Sequence, residues 1–230
     1  FGYSFFTKRL IIEDLKIRFP ATMELVILSM LVTLLVGIPV GVLGAAMRGN
    51  WFDKTSRIIT ISGVSTPVFL LALLMQLLFF LYLDWLPLSG RLSREVMINH
   101  PIETITGFYL IDAAISGNWI AWKDVLWHLV MPVITLAVYP ISLVVRMTRA
   151  SMIDVLSETY VEAARASGLS ERKILFKLAL KNGIIPTLTV MGLLFAYSII
   201  GAVLIEIIFS WPGMGSYMTD AILHSDIYVL

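Results

Sequence analysis

Four stretches of the sequence, residues 25–47, 58–83, 125–145 and 182–205, contain no Asp, Glu, Lys or Arg. Each exceeds the roughly 20 apolar residues that an α-helix needs to cross the hydrocarbon core of a bilayer. Buried helices of soluble proteins are seldom that long four times over. Lipid offers no water to peptide groups, so these runs are expected to be helical despite their β-branched residues, because an open strand would leave its amides unpaired. Composition agrees: 58% of residues are hydrophobic and 14% charged, with a mean hydropathy of +0.88, far from a soluble average. The expected fold class is an all-α polytopic transmembrane helical bundle with four full spans.

An even number of spans puts both ends of the chain on one side of the membrane, and the basic residues choose the side. Arg48, Lys54 and Arg57 fall in the connection 48–57. Arg146, Arg149, Arg165, Arg172, Lys173, Lys177 and Lys181 fall in the connection after the third run, so these two loops hold ten of the 17 basic residues. Basic loops stay on the cytoplasmic side. The opposite side carries Lys8, Arg9, Lys16, Arg18, Arg91, Arg94 and Lys123, diluted by acids that include Asp84, Glu95, Glu103, Asp112 and Asp124. The expected organisation is an external interfacial segment at 1–20 and a transmembrane domain at 21–230. That domain carries an external loop at 84–124 and a cytoplasmic loop at 146–187.

In the first segment, Leu10, Ile11, Leu15 and Phe19 share one helical face and charges take the other, the pattern of a helix lying in the membrane surface. The loop 84–124 is long, and Phe108, Tyr109, Trp119 and Trp122 can seat it at headgroup level. A docking surface for an external protein is the alternative. The chain starts without an initiator methionine and stops as a further apolar run begins, so it is expected to be a fragment of a longer protein.

The residues exclude several functions. Seventeen basic residues against 16 acidic ones provide no positive field for nucleic acid. Without cysteine, no disulfide framework or cysteine metal site exists. No Gly-Lys pair is present, so there is no Walker-type phosphate loop. His100, His128 and His224 stand far apart in sequence, with no second histidine at i+3 or i+4 to build a metal site, and each is expected at a surface or interface. The chain is therefore not expected to be an enzyme, and neither catalytic residues nor a metal or cofactor site is assigned to it.

The cytoplasmic loop has its own chemistry. Thr159 and Glu162 have capping-box spacing, which predicts a helix from Tyr160, and Gly168 stands where a left-handed stop is needed. Such a two-turn helix is marginal alone and needs packing. Ala163, Ala164 and Ala166 keep its surface low for close approach by a partner. Ser170 can cap a second helix with Glu171 in its first turn and Ile174, Leu175 and Leu178 along one face.

At these residues the chain resembles the membrane subunits of binding-protein-dependent ABC importers, whose cytoplasmic signature runs Glu-Ala-Ala, three residues, Gly, nine residues, Ile-x-Leu-Pro. Glu162-Ala163-Ala164 and Gly168 match directly. The tail reads Leu178-Ala179-Leu180-Lys181, with Pro186 five residues later, as in the oligopeptide, dipeptide and nickel branch. Arg146-Met147-Thr148-Arg149-Ala150-Ser151-Met152, Phe209-Ser210-Trp211-Pro212-Gly213-Met214-Gly215 and Arg18-Phe19-Pro20-Ala21-Thr22 are similar to that branch again.

The resemblance implies a type I importer permease of six spans, four of them complete here, in the cell membrane. It implies a second, homologous permease subunit, two cytoplasmic ABC ATPases that hold ATP and magnesium, and an extracytoplasmic binding protein. Tyr160, Glu162, Ala163, Ala164, Gly168 and Leu169 would couple the spans to an ATPase, by alternating access. Peptides or similar small solutes would be the cargo, with nickel complexes or oligosaccharides as alternatives.

Glu206 and Glu24, near the outer ends of the last and first runs, are candidate pathway residues, since ionisable groups at such depth face a protein interior or wet cavity. For Glu24, reaching the headgroup layer is the alternative. Pro39, Pro67, Pro132 and Pro140 interrupt helix ladders and can shape a gate. Gly37 and Gly41 have the small-xxx-small spacing of close helix packing. A secondary transporter, which would need midspan ion sites and internal repeats, and a non-transporting membrane scaffold are the competing functions.

Overall fold

The computed structural model describes residues 2–5, 7–226 and 229. Ten helices are numbered here in chain order. Helix α1, Ile11–Ala46, runs through Pro20 and carries a π-helical turn at Thr33–Gly37. Residues 11–20, expected as a separate surface segment, are the first turns of this same helix. A proline inside a helix removes one backbone bond and crowds the preceding turn. In α1 the Pro20 ring is covered by Gly107, whose φ is +84° and whose added Cβ would lie 2.8 Å from Pro20 Cγ.

Helix α2, Trp51–Ser65, starts where the Asn50 side chain accepts a hydrogen bond from Trp51 N–H at 2.8 Å. It ends at Thr66, which is extended at φ −83° and ψ 122°. Pro67 dictates that ending, because a residue before proline is pushed out of the helical region. Helix α3, Val68–Tyr82, follows. The run 58–83, expected as one span with its ladder interrupted at Pro67, is therefore a broken helix.

Short helices α4, Arg94–Asn99, and α5, Tyr109–Ile115, lie in the loop 84–124. Helix α6, Trp119–Leu156, outlasts its apolar run at both ends, so residues 146–156 are helix continuous with the span. Then come α7, Thr159–Ala166, and α8, residues 171–183, which contains a π-helical stretch at Ile174–Ala179. Helix α9, Ile185–Ile208, and α10, Met214–Leu223, complete the order. By length and apolarity α1, α6 and α9 can each cross a membrane, and the α2–α3 pair is a fourth span if its halves count as one.

The chain divides into two compact units. One comprises Phe1–Ser29, Val68–Leu136 and Ser198–Leu230, the other Met30–Pro67 and Ala137–Tyr197. The second unit is built on glycine contacts. An added Cβ on Gly37 would lie 2.7 Å from Val144 Cγ1, and one on Gly41 would lie 2.6 Å from Thr148 Cβ. The predicted small-residue spacing thus serves packing of α1 on α6. Without a hydrophobic force between helices in lipid, such close approach supplies dispersion contacts instead. Val42, Ala45, Met152 and Ala179 form a buried cluster beside it.

Replacing Gly41 by Leu is expected to force α1 off α6 and to destabilise the protein by about 1–3 kcal/mol, the usual cost of overpacking. Gly192→Leu is the control, since nothing lies within 4 Å of the Cβ it would carry. Thermal unfolding in detergent should separate the two variants. Equal melting would show that the α1–α6 contact contributes little.

Candidate coupling site

Helix α7 is anchored by its own small core. Val161 is fully buried and Ala164 nearly so, packed with Ile174, Leu156 and Leu178. Glu162, Ala163, Arg165 and Ala166 are exposed. Ala164, expected on the surface offered to a partner, therefore faces inward. The reason is helical period: residues 161 and 164 are i and i+3 and share the face that α8 covers.

The expected capping box does not form. The N-cap is Glu158, one residue earlier than predicted for a start at Tyr160, and it makes no side-chain capping bond. The stop is as predicted. Gly168 has φ +77° with nothing within 4 Å of an added Cβ, so the position demands glycine for conformation and not for space. Gly168 N–H donates to Arg165 O at 3.0 Å and Leu169 N–H to Ala164 O at 3.2 Å, the paired bonds of a Schellman stop.

Helix α8 begins with Ser170 as N-cap and Glu171 in the first turn, as expected, though Ser170 makes no side-chain bond. Arg165 Nε donates to Glu171 Oε1 at 2.8 Å across the turn. That bond, offset only in part by burial, holds the guanidinium pKa above its ordinary value. Asn182 Nδ2 donates to Tyr160 Oη at 3.0 Å and ties the far end of α8 to the start of α7. Tyr160 and Leu169 remain exposed at opposite ends of the motif. The two helices form one braced element with an outward face of alanine and charge.

Behind this element stands the segment 146–152. Met152 is fully buried, and its sulfur would lie 2.7 Å from a Cβ on Gly183 at the end of α8. Thr148 and Thr187 share a hydroxyl hydrogen bond of 3.0 Å. Arg149 grips Asp53 with two bonds, Nε to Oδ1 at 2.5 Å and Nη2 to Oδ2 at 2.8 Å, while Gly49 N–H donates to Oδ2 at 3.0 Å. The α7–α8 element is thus fastened to α1 and α6 within its own unit, and α6 in turn holds α2 through Arg149 and Asp53.

The candidate pathway carboxylates lie in the other unit. Glu206 is fully buried. It accepts from Thr22 Oγ1 at 2.5 Å and from Ser216 N–H at 3.0 Å. An added Cβ on Gly213 would overlap its carboxylate, and one on Gly215 would lie 2.6 Å from the Val203 Cα. Trp211 Nε1 donates to Ala21 O at 2.9 Å, and Met214 N–H to Thr22 Oγ1 at 2.8 Å. The segments 18–22 and 209–215 therefore form one turn-to-helix joint around Glu206.

Glu24 is 3% exposed and pairs with Arg91 at 2.5 Å. Its other oxygen accepts from Leu110 N–H at 2.9 Å. Arg91 also donates to Gly107 O at 3.1 Å and lies 3.6 Å from the Tyr109 ring centroid. The ion pair binds the loop 84–124 to α1. Asp112 braces that loop from inside. Burial alone would raise its pKa, but hydrogen bonds from Thr106 Oγ1 and the N–H groups of Thr106, Gly107 and Ile105 win and hold it below the ordinary value. His128, expected at a surface or interface, is buried with Nδ1 3.4 Å from Asp124 Oδ2.

Sequence reasoning had singled out Glu24 but not its partner. Arg91 lies 67 residues away, and nothing local marks it except that a buried glutamate needs a cation. Asp53, the single acid in the basic connection 48–57, carried a stronger signal of pairing.

Residues 37–229 match the family described as binding-protein-dependent transport system inner membrane component. A probable D,D-dipeptide transport system permease protein, DdpB, of Escherichia coli strain K12 is 43% identical over 96% of this chain and 64% of its own length. The di/tripeptide transport system permease protein DppB of Pseudomonas aeruginosa is 41% identical over 100% of this chain and 67% of its own. The putrescine export system permease protein SapB of Escherichia coli strain K12 is 42% identical over 98% and 70%. The chain spans just under two thirds of the length of the first of these.

Proposed function

Since this chain belongs to the family of inner membrane components of binding-protein-dependent transport systems, we propose that it is a permease subunit of an ATP-driven importer for peptides or similar small solutes. The observation that carries this is the braced α7–α8 element: a two-turn helix closed by Gly168, with Glu162, Ala163 and Ala166 outward and Val161 and Ala164 locked inward. A partner that pushes on α7 moves α8, Met152 and α6 with it, because each is packed on the next.

The proposed partners are two cytoplasmic ATPases that hold ATP and magnesium, a second related permease and an extracytoplasmic binding protein. A ligand shifts a two-state equilibrium only through different affinities for the two states, so the ATPase pair must hold α7 differently when closed and open. Glu24 and Glu206 are proposed to keep the outer ends of α1 and α9 in one piece while the pathway opens. Dependence on a binding protein favours import, and the peptide names of DdpB and DppB favour peptide cargo.

Isolating the whole protein from membranes by an affinity tag tests the reading. ATPase subunits and a second permease should come with it, and the addition of binding protein with bound peptide should raise the ATPase rate. A protein that isolates alone and transports solute under an ion gradient would be a secondary transporter, and the importer reading would fall.

A further inference from the structure

Three of the charge-free runs have an arginine at one end, 25–47 at Arg48, 58–83 at Arg57 and 125–145 at Arg146, and the bias of basic residues assigns these ends to the cytoplasmic side. All three arginines line one cavity of about 590 Å³, together with Arg149 and Asp53. Arg149 is already occupied, since its guanidinium binds Asp53 through two hydrogen bonds. The guanidinium groups of Arg48, Arg57 and Arg146 make no hydrogen bond or ion pair within the described residues. Four cations against one carboxylate leave three positive charges unmatched in a single concavity. The rest of the wall includes Ile61, Val145 and Ile153, so the cavity is cationic where the spans end and apolar along the spans themselves.

We propose that this cavity binds one anionic phospholipid of the cytoplasmic leaflet. Its phosphate would sit among Arg48, Arg57 and Arg146, and the first part of an acyl chain would lie along Ile61 and Val145. Basic pockets between spans on the cytoplasmic side hold such headgroups, and each cation near the surface adds about fivefold in affinity. Arginine suits the task because its fork binds phosphate oxygens in pairs. Asp53 does not oppose the headgroup, because Arg149 and the Gly49 N–H consume its oxygens. The lipid would complete the cation cluster behind α6, next to Ile153 and the element that couples to the ATPases.

The whole complex is reconstituted in nanodiscs that contain phosphatidylglycerol and phosphatidylcholine with the same acyl chains, and lipid retained after detergent extraction is measured by mass spectrometry. Phosphatidylglycerol should be enriched on the wild-type protein, less so at high salt. R48Q/R57Q/R146Q should lose on the order of a hundredfold in that preference, as three fivefold steps predict. R9Q/R94Q/K123Q, which removes the same charge from the other unit, should keep it, and R48K/R57K/R146K should keep part of it. Equal retention of both lipids by the wild-type protein would overturn the proposal, and this arm stands even if the triple variant fails to assemble. Stabilisation by inorganic phosphate equal to that by the lipid would overturn it too, as it would show a site for a free anion.

Discussion

Replacing Arg91 by Met is expected to destabilise the unit that contains it by about 3–5 kcal/mol, because it strands the Glu24 carboxylate in a buried site. Glu24 and Arg91 are 3% and 4% exposed at their side chains and meet at 2.5 Å. Removal of one partner leaves a charge shielded from bulk solvent, with the Leu110 N–H as its remaining hydrogen-bond donor. The double variant R91M/E24Q should recover much of the loss, since Gln keeps an oxygen for Leu110 N–H and removes the charge. Thermal unfolding in detergent and proteolysis of the loop 84–124 would report both effects. A single variant as stable as the wild type, or a double variant worse than R91M alone, would show that the pair does not hold the loop to α1.

The second large effect concerns coupling. Ala163→Arg adds bulk on the outward face of α7 and touches none of the core that folds it, whereas Gly168→Val leaves that face unchanged and strains the Schellman stop. The left-handed conformation costs a residue with a Cβ roughly 1–2 kcal/mol, more for a branched one. Both variants should lower transport at least tenfold, within the roughly 5- to 150-fold range of coupling energies. Insertion in the membrane and peptide affinity of the binding protein should stay unchanged. The two variants should differ in one respect: A163R should release ATPase subunits, while G168V should retain them in part and hydrolyse ATP without stimulation by substrate. Wild-type transport in both would mean that α7 and α8 are only a helix pair at the membrane surface. Ala164 would be a poor choice for this test, because its burial against Ile174 confounds lost docking with lost folding.

The lipid proposal and the coupling proposal meet at α6. Arg146 and Arg149 face the cavity, Met152 faces α8, and both sets lie within two turns of one helix. A headgroup that neutralises the cavity would favour whichever state keeps Arg48, Arg57 and Arg146 close together.

Charge-free length alone determined that the chain is helical and membrane-bound, because lipid leaves the backbone no other way to satisfy its amides. Local chemistry likewise determined the break at Thr66–Pro67 in principle, the left-handed stop at Gly168 and the start of α8 after Ser170, since each depends on a residue and its immediate neighbours. The glycines at 37 and 41 announced close packing by their spacing. What sequence could not supply was the far partner. Glu24 with Arg91, Glu206 with Thr22, Trp211 with Ala21 and Asp53 with Arg149 are joined across 67 to 190 residues, and no periodicity encodes such a pairing. The inward turn of Ala164 was decided by α8 packing onto α7. Only the tertiary structure decided these features, because a buried charge or a short helix takes its role from the groups that surround it, and the chain folding back on itself brings those groups there.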